Sequence, residues 1–261
     1  MSHFVPWPYP RLLAHRGGGT LAPENTVAGI EAGRRYGFRA IECDAMLAAD
    51  GVPVLMHDST LDRTTDGRGP VAARTSAELA RVDAGRWRGP EFAGTAVPTL
   101  AEAIRHCRRH GIWMNIEIKP SGAEAEQDTG ATVARVAADA YADCLRAEGD
   151  RAQSVVVAAP LLSSFSERAL AAARAAAPGL PRGLLVEAIP SDWQERLQAL
   201  GAVALHCDHR RLTEAEARRV KSAGYWLFCY TVNDPQRVRD LFAWGVDALC
   251  TDRIDLVRPE P

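Results

Sequence analysis

The chain has 261 residues, of which 47% are hydrophobic and 25% charged, the composition of an ordinary soluble globular protein. Its 31 lysines and arginines against 33 aspartates and glutamates leave a formal net charge of -2, so bulk charge gives no reason to expect nucleic acid or an anionic membrane as a partner. No run approaches the ~18 apolar residues of a membrane span. The opening MSHFVPWPYPRLLAHRG, interrupted by three prolines, lacks the basic and apolar regions of a signal peptide, so a cytoplasmic location is expected.

Short apolar runs alternate with alanine-rich helical stretches along the chain. A strand at 11–15 (RLLAH) is followed by a helix near 24–36, introduced by Asn25-Thr26, and by a second strand at 40–46 (AIECDAM). VLMHD then leads into residues 59–98, a Gly/Arg/Thr-rich segment too long for a plain loop. It reads as a small insertion after strand two, packed over the mouth of the fold. Beyond it come helix 99–110, strand 112–118 (IWMNIEI), helix 129–147, strand 154–159 (SVVVAA) and helix 164–177. Strand 183–187, helix 192–200, strand 202–207 and helix 213–223 follow, the last opening on the capping box Thr213 to Glu216. Strand 225–232 (YWLFCYTV), helix 234–244 and strand 247–251 complete the series. Glycines at 37, 111, 149, 201, 224 and 245 fall just after the expected helices.

Eight strands alternating with helices predict a parallel sheet with crossover helices. At about 250 residues, closure into a TIM (β/α)8 barrel is the expected form. An open doubly wound sheet is the alternative, although no GxGxxG turn follows the first strand. With no linker or repeat, residues 1–261 are expected to form one domain. The six cysteines (43, 107, 144, 207, 229, 250) contain no CxxC pair and read as reduced thiols.

The chemistry-bearing residues gather at the ends of the early strands. His15-Arg16 closes the first, Glu42 and Asp44 the second, and Glu117 and Lys119 the third, with His57-Asp58 between them. Residues two apart in a strand face one side, so Glu42 and Asp44 point together, as do Asn115, Glu117 and Lys119. The intervening Ile41, Cys43, Ile116 and Ile118 then face helices. Carboxylates on the barrel side need compensation. A hard cation bound by oxygens, Mg²⁺ or Ca²⁺, is one form of it, and ion pairs with Arg16 and Lys119 are the other. Two histidines beside such a cluster suit proton transfer, and the basic groups suit phosphate. Together they are what metal-assisted cleavage of a phosphate ester requires. His106 and His110 lie four apart among arginines and read as a solvated helix face. His206 and His209 are candidates for the pocket mouth, and Trp226 and Tyr230 for the substrate pocket wall, with core packing as the alternative reading.

The motifs AHRGGGTLAPENT, IECDAMLAADGVPVLMHDSTLDRTTDGRG, NIEIKP, SSF, YTVNDP and GVDALCTDRID resemble, in order, those of the glycerophosphodiester phosphodiesterases. The similarity runs from about Trp7 to Asp255 and is strongest to the compact cytoplasmic bacterial members associated with glycerol 3-phosphate uptake. The resemblance implies a TIM barrel hydrolysing glycerophosphodiesters to glycerol 3-phosphate and an alcohol. It implies His15 and His57 as general acid and base, Glu42, Asp44 and Glu117 as ligands of the divalent cation, and Arg16 and Lys119 as phosphate-binding groups. Tyr230 stands where many relatives carry tryptophan, which leaves the range of alcohols open. Small-molecule glycerophosphodiesters are thus the expected partners, without nucleic acid or stable membrane association. Either a monomer or a homo-oligomer is compatible with the sequence. A lysophospholipase D or sphingomyelinase D-like activity and a non-catalytic phosphate-binding barrel are the competing readings.

Overall fold

Alternation within each strand decides the architecture, because every second residue packs outward on helices while the others share an interior. The computed structural model describes residues 6–148 and 157–259. Its strands are β1 (Leu12–Ala14), β2 (Ala40–Leu47), β3 (Pro53–Leu55), β4 (Trp113–Ile118), β5 (Leu161–Ser164), β6 (Arg182–Val186), β7 (Ala204–Asp208), β8 (Trp226–Tyr230) and β9 (Ala248–Thr251). The helices are α1 (Val27–Arg35), α2 (Ser76–Leu79), α3 (Leu100–Arg109), α4 (Glu126–Glu148), α5 (Glu167–Ala176), α6 (Trp193–Leu200), α7 (Glu214–Ser222) and α8 (Pro235–Ala243). Parallel pairing runs β1, β2, β4, β5, β6, β7, β8, β9 and back to β1. Among the described residues this closes the expected TIM barrel of eight parallel strands, with β3 added antiparallel to β2.

The outward residues make two cores against the helices. Ile41, Cys43, Ile116 and Ile118 are buried with Ile30 of α1, Ile104 of α3 and Val133 of α4, as their alternation predicts. Leu184, Leu205, Leu227 and Leu249 pack on Leu197, Val220 and Leu241 of the last three helices. Inside the barrel, Leu13, Ala40, Trp113, Leu161, Ala204, Phe228 and Ala248 fill the lower levels. Trp7 and Tyr9 cap that end: Tyr9 stacks on Trp113 at 4.0 Å and Trp7 meets Trp226 edge-on at 5.3 Å. The bottom of the barrel is therefore an aromatic plug, and the polar chemistry has only the carboxyl ends of the strands to occupy.

Local signals set the helix boundaries. Thr26 accepts a hydrogen bond from the Gly29 N–H at the start of α1, and Thr213 with Glu216 forms the expected capping box of α7. The same device, Thr99 with Glu102, starts α3. Of the glycines expected to end helices, Gly149 lies outside the described residues, and Gly201 occupies the left-handed cap of α6.

Two expectations are corrected. The fourth parallel strand, expected at 154–159, is β5 at Leu161–Ser164, and residues 154–156 lie outside the described residues. The valine run has the higher strand propensity, but the Val157 carbonyl accepts from Arg108 Nη1 at 2.7 Å and Tyr141 Oη at 2.8 Å rather than from a neighbouring strand. LLSS instead pairs with β4, Ser163 opposite Glu117, while the Ser164 hydroxyl donates to the Ile118 carbonyl at 2.7 Å. The insertion at 59–98 begins after β3, a hairpin strand that the sequence reading did not separate from it. Its Leu61, Val71, Leu79 and Val97 form a small core with Met46 of β2, Val54 of β3 and Met56. Asp83 folds its loops by accepting from the N–H groups of Gly85, Arg86 and Gly94, each at 2.9 Å.

Leu205 is fully buried between β7 and the helix layer. Leu205→Ala is expected to destabilise the fold by about 2–5 kcal/mol, read as a lower urea midpoint with an unchanged slope. An unchanged midpoint would contradict the packing described.

Candidate active site

Strand register brings the acidic residues together. In the β2–β4 ladder Asp44 lies opposite Glu117, and Glu42 opposite Asn115, one level deeper. The three carboxylates each present an oxygen within 4.8 Å of the others. Glu42 and Asp44 are buried and Glu117 is nearly so. Asn25 grips Asp44 twice, its Nδ2 donating to Oδ2 at 2.8 Å and its Oδ1 accepting from the Asp44 N–H at 3.0 Å. The Arg16 N–H donates to Glu42 Oε2 at 3.3 Å, and Arg16 Nε lies 3.5 Å from Asp44. Lys119 Nζ is 3.3 Å from Glu117 and 3.9 Å from Asp44. Both Arg16 (φ 51°) and Asn25 (φ 56°) are left-handed, a conformation that costs a non-glycine residue about 1–3 kcal/mol and concentrates at functional sites.

These partners do not neutralise the cluster. Burial first, and then the charge of Asp44, push the carboxyls of Glu42 and Glu117 well above the usual carboxylate range. An oxygen-only donor set with incomplete counter-charge is the chemistry that a hard divalent cation satisfies, so the residues present fit one.

The two histidines are held alike. His15 Nδ1 lies 2.6 Å from Asp252 Oδ1, and His57 Nδ1 lies 2.6 Å from Asp58 Oδ1. Each pairing leaves Nε2 for chemistry, and that of His15 sits 3.7 Å from Glu42. Burial lowers the pKa of His15, but the Asp252 hydrogen bond and the Glu42 charge outweigh it and the net shift is upward. For His57, burial prevails over Asp44 and the net shift is downward. Gly19 lets the first loop lie on Asp252, since a Cβ there would meet the Asp252 carbonyl oxygen at 2.1 Å. Asp58 is in turn gripped by Arg63 of the insertion, Nε to Oδ2 at 2.6 Å, and Arg63 also spans both oxygens of Glu24 at 2.8 Å. Glu24 accepts from Arg16 Nη1 at 2.8 Å, so one chain of charges joins His57 to the carboxylate cluster.

All of this opens into a cavity of about 260 Å³ lined by His15, Arg16, Glu42, His57, Glu117 and Lys119. Seven of the expected site residues, those six and Asp44, are thus brought together. Tyr230 also lines the cavity, its hydroxyl donating to the Val186 carbonyl at 2.8 Å. Trp226 does not. It lies at the opposite end of β8, in the aromatic plug, because it precedes Tyr230 by four positions along the strand. His206 is not at the mouth but fully buried inside the barrel against Phe228, and His209 is engaged by Arg237 instead. The face of His106 and His110 is less open than expected, since His106 Nε2 bonds Glu31 of α1 at 2.8 Å.

Asp252, Asn25, Glu24, Arg63 and Phe165 were not singled out in the sequence. Asp252 carries a positional signal, being a charged residue at the end of the last strand. Glu24, Asn25, Arg63 and Phe165 lie within the motifs quoted for the resemblance, but only the folded insertion brings Arg63 and Glu24 together.

Residues 15–256 match the profile of the glycerophosphoryl diester phosphodiesterase family. The chain is 31% identical over 252 residues to the glycerophosphodiester phosphodiesterase of Caldanaerobacter subterraneus, covering 95% of this chain and 97% of that one. It is 29% identical to a Bacillus subtilis glycerophosphodiester phosphodiesterase, over 94% of this chain and 84% of that one. Among solved structures, an Oleispira antarctica phosphodiesterase in complex with its product sn-glycerol-3-phosphate superposes with a TM-score of 0.80 at 38% identity, covering 93% of each chain. A glycerophosphodiester phosphodiesterase from Agrobacterium tumefaciens gives a TM-score of 0.74 at 28% identity, over 95% of this chain and 98% of that one.

The Asp252 pairing makes a direct titration test. In Asp252→Asn the negative charge that raises His15 is removed while the shape and an acceptor oxygen are kept, so the His15 pKa should fall below its wild-type value. Imidazole NMR of the metal-free protein reads it, and an unmoved pKa would contradict the pairing.

Proposed function

The chain belongs to the glycerophosphoryl diester phosphodiesterase family, and from that premise we propose how its own residues divide the hydrolysis of glycerophosphodiesters to sn-glycerol 3-phosphate and an alcohol. The observation that carries the reading is the placement of two carboxylate-held histidines beside three crowded carboxylates in one small cavity.

Glu42, Asp44 and Glu117 would hold a divalent cation, Mg²⁺ or Ca²⁺, which supplies Lewis-acid stabilisation of negative charge on the phosphoryl oxygens. The Arg16 guanidinium and Lys119 ammonium bind the non-bridging oxygens and oppose the charge that grows on them in the transition state. One histidine takes the proton from the attacking oxygen, that of water or of the glycerol 2-hydroxyl, through Nε2. The other gives a proton to the oxygen of the departing alcohol as the ester P–O bond breaks. Asp252 and Asp58 fix the tautomers and aim the rings. If the 2-hydroxyl attacks first, a cyclic phosphate forms and the same pair, with roles exchanged, admits water to open it.

Orientation follows from shape. His57, Lys119 and the exposed Phe165 line the cavity together with His15 and Arg16, and Asp58 beside His57 is tied to Arg63 of the insertion. The variable alcohol leaves on that side, and the glycerophosphate half occupies the closed end. A cavity below the ~300 Å³ typical of drug-sized ligands suits a small polar diester rather than an acylated lipid.

Phosphorus-31 NMR on glycerophosphocholine tests the reading. The expected product is glycerol 3-phosphate, with turnover lost in EDTA and restored by Mg²⁺ or Ca²⁺. Full turnover by metal-free enzyme would remove the cation from the mechanism, and release of phosphocholine in place of choline would refute the cleavage site. His15→Ala and His57→Ala are each expected to lower kcat by about 10²–10⁴-fold with native circular dichroism. His106→Ala, outside the cavity, serves as the silent control. Near-normal turnover in either active-site variant would reassign that histidine.

A further inference from the structure

The closed end of the cavity is made of polar groups that the protein leaves without partners. Asn115 Oδ1, Ser163 Oγ and both ring nitrogens of His206 are buried, and none has a hydrogen-bond partner among the described residues. All three residues line the same cavity as Glu42 and Glu117. They lie on three of the strands that surround it: Asn115 on β4, Ser163 on the adjacent β5 and His206 on β7. Buried polar groups in folded proteins are almost always satisfied, so three of them converging on one closed end point to a ligand.

The floor is also shaped for the imidazole. Gly183 of β6 has ordinary backbone angles, yet a Cβ there would come within 2.5 Å of His206 Nε2. The intervening strand thus gives up a side chain where the ring sits. Phe228 stacks on the other side, with ring centroids 4.6 Å apart at 25°. Burial pushes the pKa of His206 down to about 3, so at neutral pH the ring is uncharged and offers one donor and one acceptor.

The chemistry selects the occupant. Asn115 Oδ1 accepts, the Ser163 hydroxyl both donates and accepts, and neutral His206 does each with a different nitrogen. None of the three floor groups is a cation, so the floor is built for a neutral group that also donates and accepts, which is a hydroxyl. The phosphate is held above it by Arg16 and Lys119. We propose that Asn115, Ser163 and His206 form a subsite for the terminal hydroxyl of the substrate's glycerol half, and that this subsite sets the preference for glycerol-bearing diesters. The proposal rests on the glycerophosphodiester reading above and adds which residues recognise the glycerol.

The test compares glycerophosphocholine with 2-hydroxypropyl phosphocholine, which keeps the vicinal hydroxyl and lacks only the terminal one. Wild-type holoenzyme is expected to favour the glycerol ester by about 100-fold or more in kcat/KM, since a site built to bind a hydroxyl leaves its own groups unpaired with the analogue. In Ser163→Ala and His206→Phe that preference should shrink at least about tenfold, through loss on the glycerol ester alone, without a lower Tm. Calorimetric affinity for sn-glycerol 3-phosphate should fall in the same variants while that for inorganic phosphate stays put. Ser163→Ala, which removes a single oxygen, keeps the test valid if the larger ring of His206→Phe prevents folding. Equal wild-type kcat/KM for the two esters, or variants that retain the wild-type ratio, would overturn the subsite and leave the floor as a place for water. Wild-type turnover of neither ester would instead refute the glycerophosphodiester reading, and the subsite with it.

Discussion

Crowding of negative charge inside the barrel is the constraint from which the rest of the site follows. Three carboxylates with oxygens within 4.8 Å repel one another by roughly 3–4 kcal/mol per pair at an effective dielectric of about 20. A barrel that evolved only for stability would fill those positions with valine or isoleucine, as its outward faces do. The surrounding residues read as a response to this cost. Asn25 and Arg16 adopt left-handed backbone angles to reach Asp44 and Glu42, and Lys119 leans across Glu117. Even so, burial holds two of the acids above their ordinary range, which is the electrostatic form of a place prepared for a cation.

The insertion also reaches into the site through a side chain. Its Arg63 bridges Asp58, the partner of His57, and Glu24, the partner of Arg16. His57 on one side and Arg16 on the other are therefore tied, through their carboxylate partners, to one guanidinium. Its rigid fork meets both oxygens of each carboxylate, a paired geometry that a lysine ammonium does not offer. The loops of the insertion need the internal ties of Asp83 and the small core around Leu61 and Leu79 because they position a reacting group as well as shield it.

Much of this was legible in the sequence because strand periodicity is a simple rule. Two-residue spacing placed Glu42 with Asp44 and Asn115 with Glu117, and the order of strands and helices gave the barrel. What escaped had no local signature. Strand propensity favoured SVVVAA over LLSS, yet the side chains of Arg108 and Tyr141 claimed the valine carbonyl. Trp226 and Tyr230 share an inward face, but a face does not say how deep a residue lies, and standing four positions earlier in the strand put Trp226 in the plug. Glu24 and Arg63 are 39 residues apart and meet only through the folded insertion. His206 looked like a residue of the rim because its neighbour His209 is near it in sequence, whereas the strand turns one inward and ends before the other.

Depth, rather than strand identity, is what organises the interior. Aromatic rings close the bottom, and uncharged polar groups at Asn115, Ser163 and His206 lie above them. Carboxylates begin at the same level, Glu42 opposite Asn115 and Glu117 opposite Ser163, and the cations Arg16 and Lys119 reach Asp44 nearer the strand ends. A diester entering this gradient has one favourable direction. Its neutral polyol finds partners only at the floor, its anionic phosphate finds cations only higher up, and its third part has no site left but the rim. The reaction centre is then the single level at which phosphate, carboxylate cluster and both imidazoles coincide. Reversing the substrate would set the phosphate on a floor without cations and leave hydroxyls among charged groups. On the proposed mechanism, the layering of polarity along the strands sets which ester bond lies beside the histidines, before any side chain makes a specific contact with the leaving alcohol.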